Sequence, residues 1–231
     1  MLTTLLFLAL WVAPWSEDTL VDKYRAAAVE KFGNEISKLE EKDQKVKDPA
    51  NAILFIGSSS IRLWETIADD LKPWPAIQRG FGGSTYSDVA VFAPRLIRPH
   101  DYRALAIFVA NDITGGGKDK SPEEIVALLD RIVKESKAHK PKAKVFVIAI
   151  TPTEKRWAVW DKIRVANAAI ESYCKQNEGL VFVATEKDYL NEEGKPRTEY
   201  FREDKLHQNN AGYQVWSRII RSALDKELGS P

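Results

Sequence analysis

The stretch that decides the fold is Asn51-Ala-Ile-Leu-Phe-Ile-Gly-Ser-Ser-Ser-Ile61, an apolar run that stops at a glycine followed by three serines. Residues 52–56 have the length and composition of a buried β-strand, and Gly57 is suited to a sharp exit from it. Ligands of open α/β sheets bind just beyond the carboxyl ends of the strands, so the three serine hydroxyls are candidates for chemistry. Serines in this place also cap helix N-termini, and the triplet taken alone favours capping.

Short apolar runs and longer helical segments alternate through the rest of the chain. After residues 52–56, strands are predicted at residues 76–79, 104–109, 144–150 and 180–184. Strands that alternate with helices in this way form a mainly parallel sheet that is covered on both faces. We therefore predict an α/β fold with three layers (α/β/α) and a flavodoxin-like, mainly parallel sheet of about five strands.

The composition is that of a globular chain with balanced charge. The 231 residues contain 34 Lys and Arg against 33 Asp and Glu, so the formal net charge of +1 gives no reason to expect nucleic acid or an anionic membrane as a partner. Cys174 is the only cysteine, which excludes an intrachain disulfide and a zinc site built on several thiolates. With only three histidines, the chain also gives little support for a multi-histidine metal site.

The N-terminus differs in character from the rest of the chain. Residues 2–12 are almost wholly apolar, but this run is too short to span a bilayer comfortably. We predict a signal peptide over residues 1–16 and hence a secreted or periplasmic protein, although no Lys or Arg precedes the run and no clear cleavage site follows it. The alternative is a hydrophobic helix packed on the domain. Residues 17–50 are predicted to form a helix and a linker, and residues 51–231 the main domain.

Polar residues near the ends of later segments supply what a serine nucleophile requires: a base, a group that orients the base, and donors for the developing oxyanion. His207 is the candidate base, and Asp204 lies three residues before it. Asn111 follows a buried apolar run and can donate from its side chain, while Gly83 can donate from its backbone. The sequence therefore predicts a serine hydrolase site at one edge of the sheet.

Four short blocks also carry a resemblance to a known family. In chain order they are Gly57-Ser-Ser-Ser-Ile61, Gly80-Phe-Gly-Gly83, Val109-Ala-Asn-Asp112 and Asp204-Lys-Leu-His207. In this order and at these strand ends they resemble the blocks of the SGNH hydrolases, the GDSL-like esterase and lipase superfamily, over about residues 52–224. The resemblance implies the SGNH hydrolase fold and ester hydrolysis through an acyl-enzyme, with neither a metal nor an organic cofactor.

Matched residue by residue, the blocks imply a role for each site residue. Ser59 matches the nucleophile and is favoured over Ser58 and Ser60, which remain alternatives. The other implied residues are the oxyanion donors Gly83 and Asn111 and the triad members Asp204 and His207.

Two positions depart from the family pattern. Ser58 stands where the family has an aspartate, so a supporting carboxylate is missing while the triad is complete. Val109 stands where the family has a glycine, and we expect its side chain to add bulk near the oxyanion donor.

The loop Thr151-Pro-Thr-Glu-Lys-Arg-Trp157 is similar to a loop in the carbohydrate-acting and acetylhydrolase-like branches of this superfamily. We therefore predict a serine esterase whose partner is a small ester or acylated carbohydrate carrying a short acyl group, acetyl in particular. A lysophospholipase-like lipid esterase and a non-catalytic carbohydrate-binding protein on a degenerate hydrolase scaffold are the alternatives. Four tryptophans are candidates for a sugar-stacking rim, although half or more are expected to be packing residues: Trp64, Trp74, Trp157 and Trp160.

Overall fold

Five parallel strands form one sheet in a computed structural model, which describes residues 17–231. They are β1 (Ile53–Gly57), β2 (Ala76–Gly80), β3 (Ala104–Phe108), β4 (Lys144–Ile148) and β5 (Leu180–Val183). Their order across the sheet is β2-β1-β3-β4-β5, which is the flavodoxin-like order. The predicted fold is therefore confirmed. The predicted signal peptide lies outside the described residues.

The side chains of each strand point alternately into two cores, one on each face of the sheet. Leu54 and Ile56 of β1 belong to one core, and Ile53 and Phe55 belong to the other. All four side chains are fully buried. Because both faces are covered, the central strands are continuously apolar in sequence and do not alternate with polar residues.

Helices cover both faces of the sheet. The Leu54 face carries α1 (Glu17–Lys45), α4 (Tyr86–Ile97), α5 (Pro122–His139) and α6 (Trp160–Gln176). The opposite face carries α2 (Ser59–Arg62), α3 (Ile67–Asp70), α7 (Glu186–Tyr189) and α8 (Asn210–Leu228). Two 3₁₀ helices, Glu154–Val159 and Thr198–Tyr200, lie in the connections after β4 and after α7. Within residues 17–231, no helix is both long enough and apolar enough to cross a membrane.

The first helix, α1, is attached to the domain by a buried face and by ion pairs. Phe32 and Ile36 are buried in the same core as α4 and α5. Farther along, the guanidinium of Arg95 forms two parallel hydrogen bonds of 2.6 Å each with the carboxylate of Glu40. These contacts fix the rotation of α1 about its axis and therefore decide which of its polar residues reach the carboxyl edge of the sheet.

Candidate active site

Ser59 is held at the carboxyl end of β1 by a turn that requires glycine. Gly57 has a φ of +135°, and a Cβ atom at this position would lie 1.9 Å from the carbonyl oxygen of Phe108 on the neighbouring strand β3. The N–H of Ser58 donates to that same oxygen at 2.9 Å. The chain thus leaves the sheet at once, and Ser59 becomes the first residue of α2. Ser58 occupies the N-cap position, but its side chain makes no capping hydrogen bond.

A chain of hydrogen bonds joins three of the predicted site residues. Oγ of Ser59 lies 2.9 Å from Nε2 of His207, and Nδ1 of His207 lies 2.6 Å from Oδ2 of Asp204. Among the three serines, the hydroxyl that is hydrogen-bonded to the imidazole is that of Ser59. This is the arrangement in which an imidazole takes a proton from a hydroxyl while a carboxylate holds the other ring nitrogen.

The aspartate and histidine are brought together by one tight turn ahead of α8. Oδ1 of Asp204 accepts hydrogen bonds from the backbone N–H groups of Leu206, at 3.0 Å, and His207, at 2.9 Å. Lys205, the residue after Asp204, has a φ of +60°, in the left-handed region that a non-glycine residue seldom adopts. Partial burial acts to raise the pKa of Asp204, but the hydrogen bonds from the imidazole and the two N–H groups outweigh it and lower that pKa to about 2. The carboxylate is therefore ionised at any pH near neutrality.

The two predicted oxyanion donors line the cleft that contains Ser59 and His207. Gly83 has a φ of +74° in the turn after β2, and a Cβ atom there would meet no other atom within 4 Å. Asn111 follows β3, and its Nδ2 donates to the carbonyl oxygen of Ser84 at 2.8 Å. A primary amide nitrogen carries two hydrogens, so Nδ2 keeps a second one for a ligand in the cleft.

A buried arginine of the loop after β4, to which the sequence patterns gave no role of its own, fixes the orientation of this amide. Nη2 of Arg156 donates to Oδ1 of Asn111 at 2.6 Å, so the amide oxygen is turned toward the guanidinium and the amide nitrogen is left for Ser84 and the cleft. Arg156 is 8% exposed, and its backbone N–H donates to the side chain of Thr153, the N-cap residue of the 3₁₀ helix. Burial lowers the pKa of Arg156, and the nearby carboxylates of Asp112 and Asp119 act in the opposite direction.

The two departures from the family pattern have different outcomes. Ser58 is buried and lines the cleft beside Ser59. The expectation that Val109 adds bulk near the oxyanion donor is wrong, because its side chain is fully buried in the core that contains residues of α4 and α5, and it is not among the described residues that line the cleft. In this loop the residues that line the cleft are Phe108, Ala110 and Asn111.

The cleft has two unequal sides that meet at Ser59, Asn111, Leu206 and His207. On one side, the closed side, is a cavity of about 20 Å³, which is little more than the roughly 10–15 Å³ that one water molecule needs. Its further lining residues come from three segments: Ile150, Thr151, Thr153, Arg156, Phe201 and Gln208. On the other side, the open side, is a depression of about 400 Å³, lined also by Glu35, Arg62, Gly82 and Gly83.

The tryptophans do not form a rim around the cleft. Trp64 and Trp74 are fully buried in the core on the α8 face, and Trp160 is 6% exposed. Trp157, which is partly buried, stacks on Trp160 with ring centroids 6.0 Å apart. Among the residues that the structure describes, no Phe, Tyr or Trp lines the open side of the cleft.

Comparison with solved structures agrees with the fold. A protein of Streptococcus pneumonia whose name refers to platelet activating factor shares 22% identity, with a TM-score of 0.72 over 92% of this chain and 100% of that one. A GDSL-like lipase from Bacteroides thetaiotaomicron, also 22% identical, has a TM-score of 0.71 over 84% of this chain and 98% of its own. A carbohydrate esterase family 3 protein from Talaromyces cellulolyticus is 18% identical, with a TM-score of 0.57 over 76% of this chain and 96% of its own. At these identities the likeness concerns the fold.

The family of this chain is identified by comparing its sequence with models of protein families. A search of curated proteins returns no match to this chain. The sequence model of the GDSL-like lipase/acylhydrolase family matches residues 57–215, a segment that contains Ser59, Gly83, Asn111, Asp204 and His207. The chain therefore belongs to the GDSL-like lipase/acylhydrolase family of ester hydrolases.

Proposed function

We propose that the protein is a serine esterase that removes short acyl groups, acetyl in particular, from carbohydrates. The observation that carries the proposal is the hydrogen-bonded chain Ser59–His207–Asp204 at the mouth of a cavity of only about 20 Å³. The chain of hydrogen bonds supports nucleophilic attack, and the size of the cavity supports a small acyl group.

The reaction follows from the positions of these groups. Nε2 of His207 takes the proton of Ser59 as Oγ attacks the ester carbonyl carbon, and Asp204 stabilises the imidazolium that forms. The oxyanion accepts hydrogen bonds from Nδ2 of Asn111 and from the N–H groups of Gly83 and Ser59. The bond to the alcohol oxygen then breaks as His207 returns the proton to it, which leaves an acyl group on Ser59.

Hydrolysis of the acyl-enzyme repeats these steps with water. His207 takes a proton from water as the water oxygen attacks the acyl carbon, and the same three donors hold the second oxyanion. Collapse of this intermediate breaks the bond to Oγ, releases the carboxylic acid and returns a proton to Ser59. Every proton in the cycle passes through Nε2 of His207.

The size of the cavity argues against a lipid esterase, and the hydrogen bonds of His207 argue against a non-catalytic binding protein. A long acyl chain needs an extended apolar channel, whereas this cavity has room for little more than a methyl group beyond the carbonyl. A binding protein without catalysis would not need an imidazole that links a hydroxyl to a carboxylate at 2.9 and 2.6 Å. The carbohydrate part of the proposal is supported by the loop after β4 and by a solved structure of the same fold that is named a carbohydrate esterase.

The cellular location of the protein is proposed from residues 2–12 alone. Their apolar character supports export and a periplasmic or secreted mature protein. N-terminal sequencing of the protein purified from outside the cytoplasm tests this: a start near residue 17 is expected, and an intact Met1 would contradict it.

The activity is tested with p-nitrophenyl esters from acetate to octanoate. We expect the highest kcat/KM on acetate and a steep fall for longer chains, because these do not fit the closed side of the cleft. Ser59→Ala should lower kcat by about a thousandfold or more. Ser58→Ala and Ser60→Ala are the matched controls, and each should retain far more activity than Ser59→Ala. Equal activity of Ser59→Ala and the wild type would exclude the proposed nucleophile.

A further inference from the structure

We propose that Glu35 and Arg62 form the subsite for the alcohol part of the ester, and that this alcohol is an uncharged ring with several hydroxyl groups. The inference rests on the proposed function and adds to it the residues that select the alcohol. One of them, Glu35, lies on α1, outside the segment that the family model matches.

The two sides of the cleft differ in size, and this difference decides which side takes the acyl group and which takes the alcohol. Acyl and alcohol groups leave the tetrahedral carbon in different directions, so one must lie on each side of Ser59. The closed side has a volume of about 20 Å³ and the open side about 400 Å³. A sugar ring fits only the open side, and Glu35 and Arg62 supply the two charged side chains there.

Both side chains are held in place next to an oxyanion donor. Oε1 of Glu35 accepts the N–H of Gly82 at 3.2 Å and lies 3.8 Å from Nε of Arg62. A Cβ atom on Gly82 would be 2.8 Å from that Nε, so glycine is what allows the guanidinium to lie against the turn. Ile36, fully buried in the core, fixes the rotation of α1 and hence the direction of its neighbour Glu35.

The pair still has hydrogen-bonding capacity that faces the cleft. The side chains of Glu35 and Arg62 are 36% and 49% exposed. Within residues 17–231, Oε2 of Glu35 accepts no hydrogen bond, and the guanidinium of Arg62 donates none, apart from its ion pair with Glu35. A carboxylate that accepts beside a guanidinium that donates matches two neighbouring hydroxyls, each of which can do both.

The charges of the pair favour an uncharged alcohol. Glu35 and Arg62 carry opposite charges 3.8 Å apart, so together they offer no net charge to attract an anionic or a cationic group. Apart from the imidazole of His207, the described lining of this side also lacks an aromatic ring for stacking or for a quaternary ammonium group. Recognition therefore depends on hydrogen bonds to ring hydroxyls.

The test compares two acetyl esters that differ in their hydroxyl groups. One is a methyl glucoside carrying a single acetyl ester, and the other is cyclohexyl acetate, which has a ring of the same size without hydroxyls. The quantity measured is the ratio of kcat/KM on the sugar ester to kcat/KM on cyclohexyl acetate. Glu35→Gln and Arg62→Met should each lower this ratio about tenfold, which corresponds to one charge-assisted hydrogen bond. The matched control is Glu41→Gln on the exposed side of the same helix, which should keep the wild-type ratio.

Each outcome separates this inference from the proposed function. A ratio that Glu35→Gln and Arg62→Met leave unchanged, in variants with the wild-type thermal unfolding temperature, overturns the subsite while the esterase activity stands. A larger loss on cyclohexyl acetate than on the sugar ester also overturns it, because the pair would then not act through ring hydroxyls. Wild-type protein that hydrolyses neither these esters nor p-nitrophenyl acetate would refute the proposed function and, with it, the subsite.

Discussion

The two sides of the cleft differ in how their side chains are held. On the reactive side, backbone hydrogen bonds and buried contacts determine where each reactive group lies. On the open side, two half-exposed charged side chains form an ion pair beside a glycine. Ser59 is placed by a turn in which any Cβ at Gly57 would collide with β3. Asn111 is held at both ends of its amide, by Ser84 and by Arg156. Glu35 and Arg62, by contrast, are held mainly by each other and by the N–H of Gly82.

The difference separates chemistry from selectivity. Groups that must meet a developing charge within a few tenths of an ångström are built on strand ends, where parallel strands bring them together whatever the surface sequence is. Groups that select the alcohol are on a helix and a turn, where substitutions change the substrate without disturbing the reaction. Substitutions on the first side should therefore lower the rate on every ester, and substitutions on the second should change the ratio between esters.

After the nucleophile itself, the largest effect is expected for Asn111→Ala. It removes one oxyanion donor, so kcat should fall about a hundredfold to a thousandfold with little change in KM. The loss should be the same on p-nitrophenyl acetate and on a sugar acetate, because both pass through the same oxyanion. Steady-state kinetics on both esters check this, with circular dichroism as the test of folding. A loss on only one of the esters would contradict the assignment.

A smaller effect, about tenfold in kcat, is expected for Arg156→Met. Arg156 acts through the amide of Asn111, so the double variant with Asn111→Ala should be no slower than Asn111→Ala alone. A double-mutant cycle measures this coupling. Losses that multiply would show that Arg156 does not act through Asn111.

On the open side, Gly82→Ala should change selectivity by several-fold. The added methyl group would lie 2.8 Å from Nε and 2.9 Å from Nη2 of Arg62, so the flexible guanidinium has to move away from Glu35. The ratio between the sugar ester and cyclohexyl acetate should fall. Gly117→Ala is a control at a position with open space around it. An unchanged ratio would mean that the position of the guanidinium does not matter for the alcohol.

The smallest effect is a dependence of stability on pH. The pKa of Asp204 is about 2 in the folded protein, against about 3.9 for an unperturbed aspartate. A depressed pKa stabilises the fold above the unfolded value, and this contribution is lost as pH falls from about 4 toward 2. The side chain is 48% exposed, so solvent screening limits the contribution to about 0.5 kcal/mol.

Urea unfolding of the wild type and Asp204→Asn at several pH values measures that contribution. The difference in free energy of unfolding should be constant above about pH 5 and disappear near pH 2. A difference that grows as the pH falls would contradict the direction of the pKa shift.

Much of the fold and of the reactive side could be predicted from sequence, for a physical reason. A strand buried on both faces leaves an uninterrupted apolar run, and the end of that run marks the edge where ligands bind. Ser59 and Asn111 both follow such runs. Residues at the same edge of a parallel sheet are brought together without any further information.

The rest depended on packing that no periodicity encodes. The reach of Glu35 to the cleft depends on the rotation of α1, which is fixed by contacts with α4 and α5. The role of Arg156 depends on its contact with Asn111, which is distant from it in sequence. The same limit explains why the bulk expected from Val109 is absent from the cleft: its side chain points into the core.

The measurement that tests the central claim most directly is covalent labelling of the protein with a fluorophosphonate, followed by mass spectrometry of the intact chain and its peptides. We predict one equivalent of label on Ser59, loss of labelling in Ser59→Ala, and strongly slowed labelling in His207→Ala because no base then activates Oγ. Labelling that persists in Ser59→Ala, or that maps to Ser58 or Ser60, would contradict the assignment of the nucleophile.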